Sequence, residues 1–232
     1  MPTPHPPADR SHTPKGQHTR AAILDEAERL FAERGFHGTS MRDVAGAAKL
    51  PLASTIYHFA KKEQLYAAVL GAIADELMHE LEVAIGPARV KGDLVERFVA
   101  PVDALAIALV RWTGRYPARV CLLLRELLDN PVRVARAAKL PLGPFLERAS
   151  AMVTSGVRAG VLEVRTPETA VLHVVGGLHY VVAARPTVER IVGAARAKKI
   201  AAGYEREALA FARHTLGVPA AYVRMQEADR AS

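Results

Sequence analysis

The sequence is poor in cysteine. Among 232 residues there is one, Cys121, so an internal disulfide is excluded and no paired-cysteine zinc or redox motif can be built. That usage leads to the expectation of a reduced, intracellular, cytoplasmic protein. Within Val120-Cys121-Leu122-Leu123-Leu124 the thiol reads as a small core hydrophobe. Aromatic residues are scarce, at 6%, while alanine is abundant, a balance that favours helix over sheet. Long apolar runs are missing. The richest stretch, Ala170 to Ala184, is interrupted by His173 and His179, and nothing approaches the roughly 20 residues of a membrane span. The N-terminus has no apolar core of the kind a signal peptide needs. Catalytic signatures are absent too: there is no G-x-S-x-G, no glycine-rich phosphate loop and no H-E-x-x-H. No enzymatic activity, cofactor, metal or membrane association is therefore expected.

Acidic residues are outnumbered: 31 lysines and arginines face 24 aspartates and glutamates, a formal net charge of +7. Such a balance suits a polyanionic partner without requiring one. Half the residues are hydrophobic, enough for a sizeable core.

The first 17 residues hold five prolines and are expected to form a disordered arm. From Thr19 to Arg34, Ile23, Ala27, Leu30 and Phe31 recur at i, i+4, i+7 and i+8, one apolar face of a helix that Gly35 terminates. Ser40 then caps a short helix carrying Met41, Val44, Ala45 and Ala48, with Asp43 completing a capping box. Lys49-Leu50-Pro51 breaks the chain. A third short helix is expected from about Leu52 to Phe59, and a fourth from Glu63 through about Ile85, stopped by Gly86-Pro87. Two short helices joined by a tight turn and braced by a longer one describe a helix-turn-helix, whose second helix must be narrow and rigidly held to enter a DNA groove.

Beyond Gly92 the periodicity is helical throughout, with helices expected at about Asp93–Gly114, Ala118–Asp129, Leu142–Ala159, Pro167–Ala184, Val188–Ala201 and Glu205–Leu216. Breaks are expected at Tyr116-Pro117, Asn130-Pro131, Pro141 to Pro144, Arg185-Pro186 and Gly203. No alternating strand pattern is present. The fold class is all-α, divided into a disordered arm (1–17), a three-helix helix-turn-helix domain (18–66), a larger helical effector and dimerisation bundle (67–219) and a C-terminal tail (220–232).

Two blocks carry a resemblance. Phe36-His37-Gly38-Thr39-Ser40-Met41-Arg42-Asp43-Val44-Ala45 and Ile56-Tyr57-His58-Phe59-Ala60-Lys61-Lys62-Glu63-Gln64-Leu65 are similar, in sequence and spacing, to the signature segments of TetR-family transcriptional regulators. The resemblance implies a homodimeric repressor on double-stranded DNA, released from a palindromic operator by a small apolar or amphipathic effector; a dimeric regulator with no small-molecule effector is the alternative. It places Leu52, Ala53, Ser54 and Ile56 toward base edges, Tyr57, His58 and Lys62 toward phosphates, and Arg42 near the backbone or a base edge. The side-chain chemistry agrees: Ser54 bonds either base type, apolar residues suit thymine methyls, and tyrosine and lysine are phosphate donors. Each also has an ordinary alternative: Tyr57 packed in the core, His58 a surface histidine, Lys61-Lys62 a solvated pair. Two positions depart from the family. Lys49 stands where it usually has a turn glycine, so this lysine must take φ > 0 or the turn must differ. Ile56 replaces a polar aromatic.

In the larger domain the candidates for an effector pocket are Trp112, Arg125, Met152, His173 and His179, which combine apolar bulk with a polar group. Each also reads as a core or interface residue, which is the commoner role for a buried tryptophan or histidine. The helices Pro167–Ala184 and Glu205–Leu216 are the expected dimer elements, with Ala170, Val174, Gly177, Leu178 and Val181 forming a small-residue apolar face.

Overall fold

A computed structural model describes residues 14–86, 92–129 and 140–231. The expected break at Asn130-Pro131, Pro87 and most of the N-terminal arm lie outside them. Every regular element among the described residues is helical: α1 (Pro14–Arg34), α2 (Met41–Ala47), α3 (Leu52–His58), α4 (Lys62–Ile85), a π-helical turn (Val95–Val99), α5 (Ala100–Arg115), α6 (Pro117–Asp129), α7 (Gly143–Arg158), α8 (Pro167–Val192), α9 (Ala194–Thr215) and α10 (Ala220–Ala231). None is long and apolar enough to cross a membrane. The chain forms two compact units, a head (Met1–Ala72) and a body (Ile73–Ser232).

The head is built on the face read from the sequence. Ile23, Ala27, Leu30 and Phe31 are the buried residues of α1, and they meet Val44 and Ala45 of α2, Phe59, and Leu65, Tyr66, Val69 and Leu70 of α4 in its core. Phe31, Phe36 and Tyr66 form an aromatic cluster, Tyr66 standing edge-on to Phe31 at 4.8 Å and to Phe36 at 5.0 Å between ring centres, an arrangement the ring quadrupoles favour. Gly35 ends α1 at φ 72°, its N–H donating to Phe31 O at 2.9 Å. The buried Thr39 hydroxyl donates to Gly35 O at 3.0 Å, which sets the turn into α2.

In the body, the second half of α4 buries Ile73, Leu77 and Leu81. α5 buries Val102, Leu105, Leu109, Val110 and Trp112, and α8 touches α5, α6, α7 and α9. One buried ion pair joins α5 to α9. Arg213 donates through Nε to Asp103 Oδ1 at 2.6 Å and through Nη2 to Oδ2 at 3.1 Å. This fork matches the planar guanidinium to both carboxylate oxygens.

Six sequence expectations change. Helix α1 begins at Pro14 rather than Thr19; proline is at ease in a first turn, where its missing N–H would have no partner. The break at Arg185-Pro186 does not occur: α8 runs through Pro186 to Val192 and ends at Gly193, φ 83°. Proline removes one helical hydrogen bond, the one to the Val182 carbonyl, and its ring lies on an exposed part of the helix. Gly203 likewise sits inside α9. The tail is a helix, α10. Ala170, Val174 and Leu178, expected on a dimer face, are buried within the chain's own body. Gly177 faces Phe211, 3.0 Å from where a Cβ would stand. Cys121 is half-buried, while its neighbours Val120 and Leu122 carry the core.

Candidate nucleic-acid interface and body cleft

Helix α2 is held at its start by the capping box. Ser40 N donates to Asp43 Oδ2 at 2.8 Å, the Ser40 hydroxyl donates to the same oxygen at 2.6 Å, and Asp43 N donates back to Ser40 Oγ at 3.2 Å. These bonds from Ser40 hold the Asp43 carboxyl below its ordinary range. The helix ends in a Schellman turn, with Leu50 N donating to Ala45 O at 2.9 Å and Lys49 N to Gly46 O at 3.1 Å, which satisfies the last carbonyls. Its left-handed residue is Lys49, at φ 54°, the only non-glycine with positive φ among the described residues. The turn is therefore made without a glycine at its left-handed position.

Helix α3 buries only Thr55. Ala53, Ile56 and Tyr57, at i, i+3 and i+4, form one exposed stripe; Ile56 is 45% and Tyr57 58% exposed, which removes the core-packed alternative for Tyr57. Leu52, Ser54 and His58 are half-buried beside the stripe, and Arg42 on α2 is exposed. Arg20 of α1 lies over the Phe59 ring, 5.1 Å from its centre, just beyond the end of α3. Lys62 is placed differently from its neighbours. Its ammonium donates to Phe36 O at 2.9 Å and Thr39 O at 3.1 Å and sits 4.3 Å from the Phe36 ring centre. Two of its three N–H groups thus tie the start of α4 to the turn before α2. Sequence spacing could not reveal this strut, because it closes a gap of 26 residues.

The effector candidates are scattered. Trp112 is buried with its ring tilted against Tyr116 at 5.7 Å. Arg125 is half-buried on α6 and His173 is exposed on α8. His179 is buried, and burial pushes its imidazole down to about 4. Near Trp112, Glu76 pairs with Arg119 at 2.5 Å. Burial alone would raise the Glu76 carboxyl, but hydrogen bonds from Arg119 and Tyr116 outweigh it and lower it. Met152 alone of the five lines a cleft in the body of about 780 Å³. Its walls come from the end of α4, the π-turn, α5, α7 and α10, and include Ile85, Arg97, Phe98, Arg148, Tyr222 and Met225. None of these six was singled out in the sequence. The available signal was the recurrence of Tyr222, Met225 and Gln226 in what reads as a polar tail. Among the described residues no group of three or more His, Cys, Asp or Glu side chains is placed to hold a metal.

A short exposed helix, fixed by a capped helix, a Schellman turn and a lysine strut, defines the head as a helix-turn-helix, and the regular elements described in the body are helical. Residues 23–69 match the model of the bacterial regulatory proteins, tetR family. The chain is 38% identical over 96 residues to the HTH-type transcriptional repressor Rv3405c of Mycobacterium tuberculosis, a match covering 41% of this chain and 48% of that one. The chain thus spans about half the length of this relative. It is 28% identical over 178 residues to the HTH-type transcriptional regulator RutR of Escherichia coli, covering 75% of this chain and 79% of that one. A solved structure of the transcriptional regulator SCO4942 from Streptomyces coelicolor shares the fold, with a TM-score of 0.65 at 17% identity over 87% of this chain and 99% of that one.

Proposed function

We propose that this protein is a sequence-specific DNA-binding transcriptional regulator, a homodimeric repressor that leaves a palindromic operator when a small molecule binds its body. The observation that carries the DNA-binding reading is the exposed stripe of Ala53, Ile56 and Tyr57 on a short helix whose only buried residue is Thr55. A helix that turns apolar and aromatic side chains to solvent while its neighbours hold it rigid is suited to the major groove. Leu52, Ala53, Ser54 and Ile56 face base edges, with the apolar members reading thymine methyls. Arg42, Tyr57 and His58 bond phosphates. Lys62 acts chiefly as a positioning residue, because most of its hydrogen-bonding capacity is used within the head.

Two heads of a dimer reading a palindrome must stand about 34–36 Å apart to enter successive major grooves. An effector that changes that spacing lowers affinity, and a coupling of about 1–3 kcal/mol gives a 5–150-fold release. The body cleft supports an effector, since its volume falls in the range of roughly 300–1,000 Å³ typical of small-molecule sites. For the dimer, Leu172, Tyr180 and Val181 of α8 and Phe211 of α9 are exposed and are the candidates for the surface that a second copy covers.

The test is a DNA fragment selected by the protein from a random-sequence pool. Arg42→Ala is expected to weaken binding and to flatten the dependence of log K on log salt by about 0.9, one phosphate contact. Tyr57→Phe removes a neutral hydrogen bond and is expected to weaken binding with the slope unchanged. Unaltered affinity in both variants overturns this DNA face.

A further inference from the structure

Two cations of the head stand beside α3 and have no part in the reading above. Lys49 holds the left-handed position of the turn between α2 and α3, at φ 54°. A residue with a Cβ is strained there and glycine is not. Nothing inside the head offsets that strain through the side chain. Lys49 is exposed, and among the described residues its ammonium has no hydrogen bond or ion pair. The dipole of α2 favours a cation at this end, but by less than the strain costs. A strained residue whose side chain packs on nothing in its own chain directs the search to a partner.

Arg20 lies at the other end of α3. Its guanidinium sits 5.1 Å from the ring centre of Phe59, the residue that follows the helix. That ring is buried and so gives the arginine a fixed seat. A guanidinium stacked on a ring keeps its N–H fork for an anion. Arg20 is itself exposed, and among the described residues it pairs with no carboxylate.

The charge around the two has one sign. Lys15, His18 and Arg20 share Pro14–Leu24 with no carboxylate, and Lys49, Lys61 and Lys62 share Val44–Lys62 with none. The bordering acids are Asp25, Asp43 and Glu63. Asp25 is five residues from Arg20, which turns it to another side of α1. Asp43 is bound by Ser40. Glu63 is in the first turn of α4, where the helix dipole favours an acid.

We propose that Lys49 and Arg20 bracket α3, each bonding a backbone phosphate of the DNA that this helix enters. A seven-residue helix rises roughly 10 Å, so its two ends reach different phosphates. Lys49 brings a mobile point charge and Arg20 a fork held by Phe59, and together they fix the helix at both ends while the stripe between them meets the bases. This inference rests on the DNA-binding reading above and adds to it the residues that seat the helix.

The test is the DNA affinity of the full chain for the fragment it selects, measured across salt concentrations. Lys49→Gly keeps the left-handed turn and loses the charge. It is expected to raise the urea midpoint, yet to weaken binding roughly 5–10-fold at 0.1 M salt and to flatten the dependence of log K on log salt by about 0.9. Weaker binding by a more stable protein excludes misfolding as its cause. Lys49→Arg is expected to keep the affinity and slope of the wild type. Arg20→Gln is expected to lose as much as Lys49→Gly, and the double variant to flatten the slope by about 1.8. When single phosphates are replaced by uncharged methylphosphonates, one replacement is expected to weaken the wild type but not Lys49→Gly, and a different one the wild type but not Arg20→Gln.

Unaltered affinity in either single variant overturns the bracket. So does weaker binding at an unaltered slope, which marks a residue that positions α3 without touching phosphate. Arg42→Ala and Tyr57→Phe on the same fragment separate this inference from the reading it rests on. If those two weaken binding while Lys49→Gly and Arg20→Gln do not, the DNA face stands and the bracket falls. The reverse pattern supports the bracket and refutes the face. A wild type that selects no DNA overturns both.

Discussion

At the scale of single residues, two lysines in the head carry different physics. Lys49 holds the left-handed position of the α2 turn at φ 54°, where a Cβ costs roughly 1–2 kcal/mol that glycine does not incur. Glycine's greater freedom in the unfolded chain offsets part of the gain. Lys49→Gly is therefore expected to stabilise the head by about 0.5–1 kcal/mol, read as a higher urea midpoint; a lower midpoint refutes the strain. Lys62 donates to two carbonyls, Phe36 O and Thr39 O, and hydrogen bonds to a charged donor contribute about 1.5–3 kcal/mol. Lys62→Met is expected to destabilise the head by that order and to weaken DNA binding without changing its salt slope. A slope reduced by about 0.9 would instead mark Lys62 as a phosphate contact. The type of lysine was legible in the sequence; its partner was not, because a strut across 26 residues leaves no local periodicity.

At the scale of elements, the helices that pack on one face were readable and those that run on against propensity were not. The faces of α1 and α2 and their caps follow from spacing alone, since the buried residues recur at helical intervals and Ser40 and Asp43 satisfy each other locally. Helix α8 continues through Pro186, and α9 through Gly203, because packing of α9 on α8 and α5 outweighs a local preference of about 1–3 kcal/mol. The pair Asp103–Arg213 shows what joins these elements. Both side chains are nearly buried, 5% and 10% exposed, so Asp103→Ala leaves a guanidinium without its counter-charge and is expected to destabilise the body by about 3–5 kcal/mol. The double substitution Asp103→Leu, Arg213→Met is expected to recover most of that loss, because replacing a whole buried pair by apolar residues is often neutral. A double variant no more stable than Asp103→Ala, in chemical denaturation, contradicts this account.

At the scale of the whole molecule, stability is expected to depend on pH through His179. Burial lowers its imidazole from 6.5 to about 4, so the unfolded chain takes up a proton that the folded body refuses. The stabilisation from keeping His179 neutral is complete above the unfolded value and is lost as pH falls from about 6.5 toward 4. Between pH 7.5 and 5 the loss amounts to about 2 kcal/mol. His179→Leu is expected to flatten the urea midpoint over that interval, and an unchanged pH profile in the variant assigns the dependence to other groups.

The sequence by itself determined the helical class and the helix-turn-helix, because those depend on periodicity, caps and turns within about 50 residues; the stripe that α3 turns outward was settled by burial in the structure. The sequence also required Lys49 to be left-handed if the turn was to close, and the structure closes it that way. Only the tertiary structure decided that Lys62 is a strut, that Ala170, Val174 and Leu178 belong to the body's own core, and that residues 220–231 form a helix against a cleft. These outcomes rest on contacts between residues distant in the chain, where packing and burial, not local pattern, select the partner.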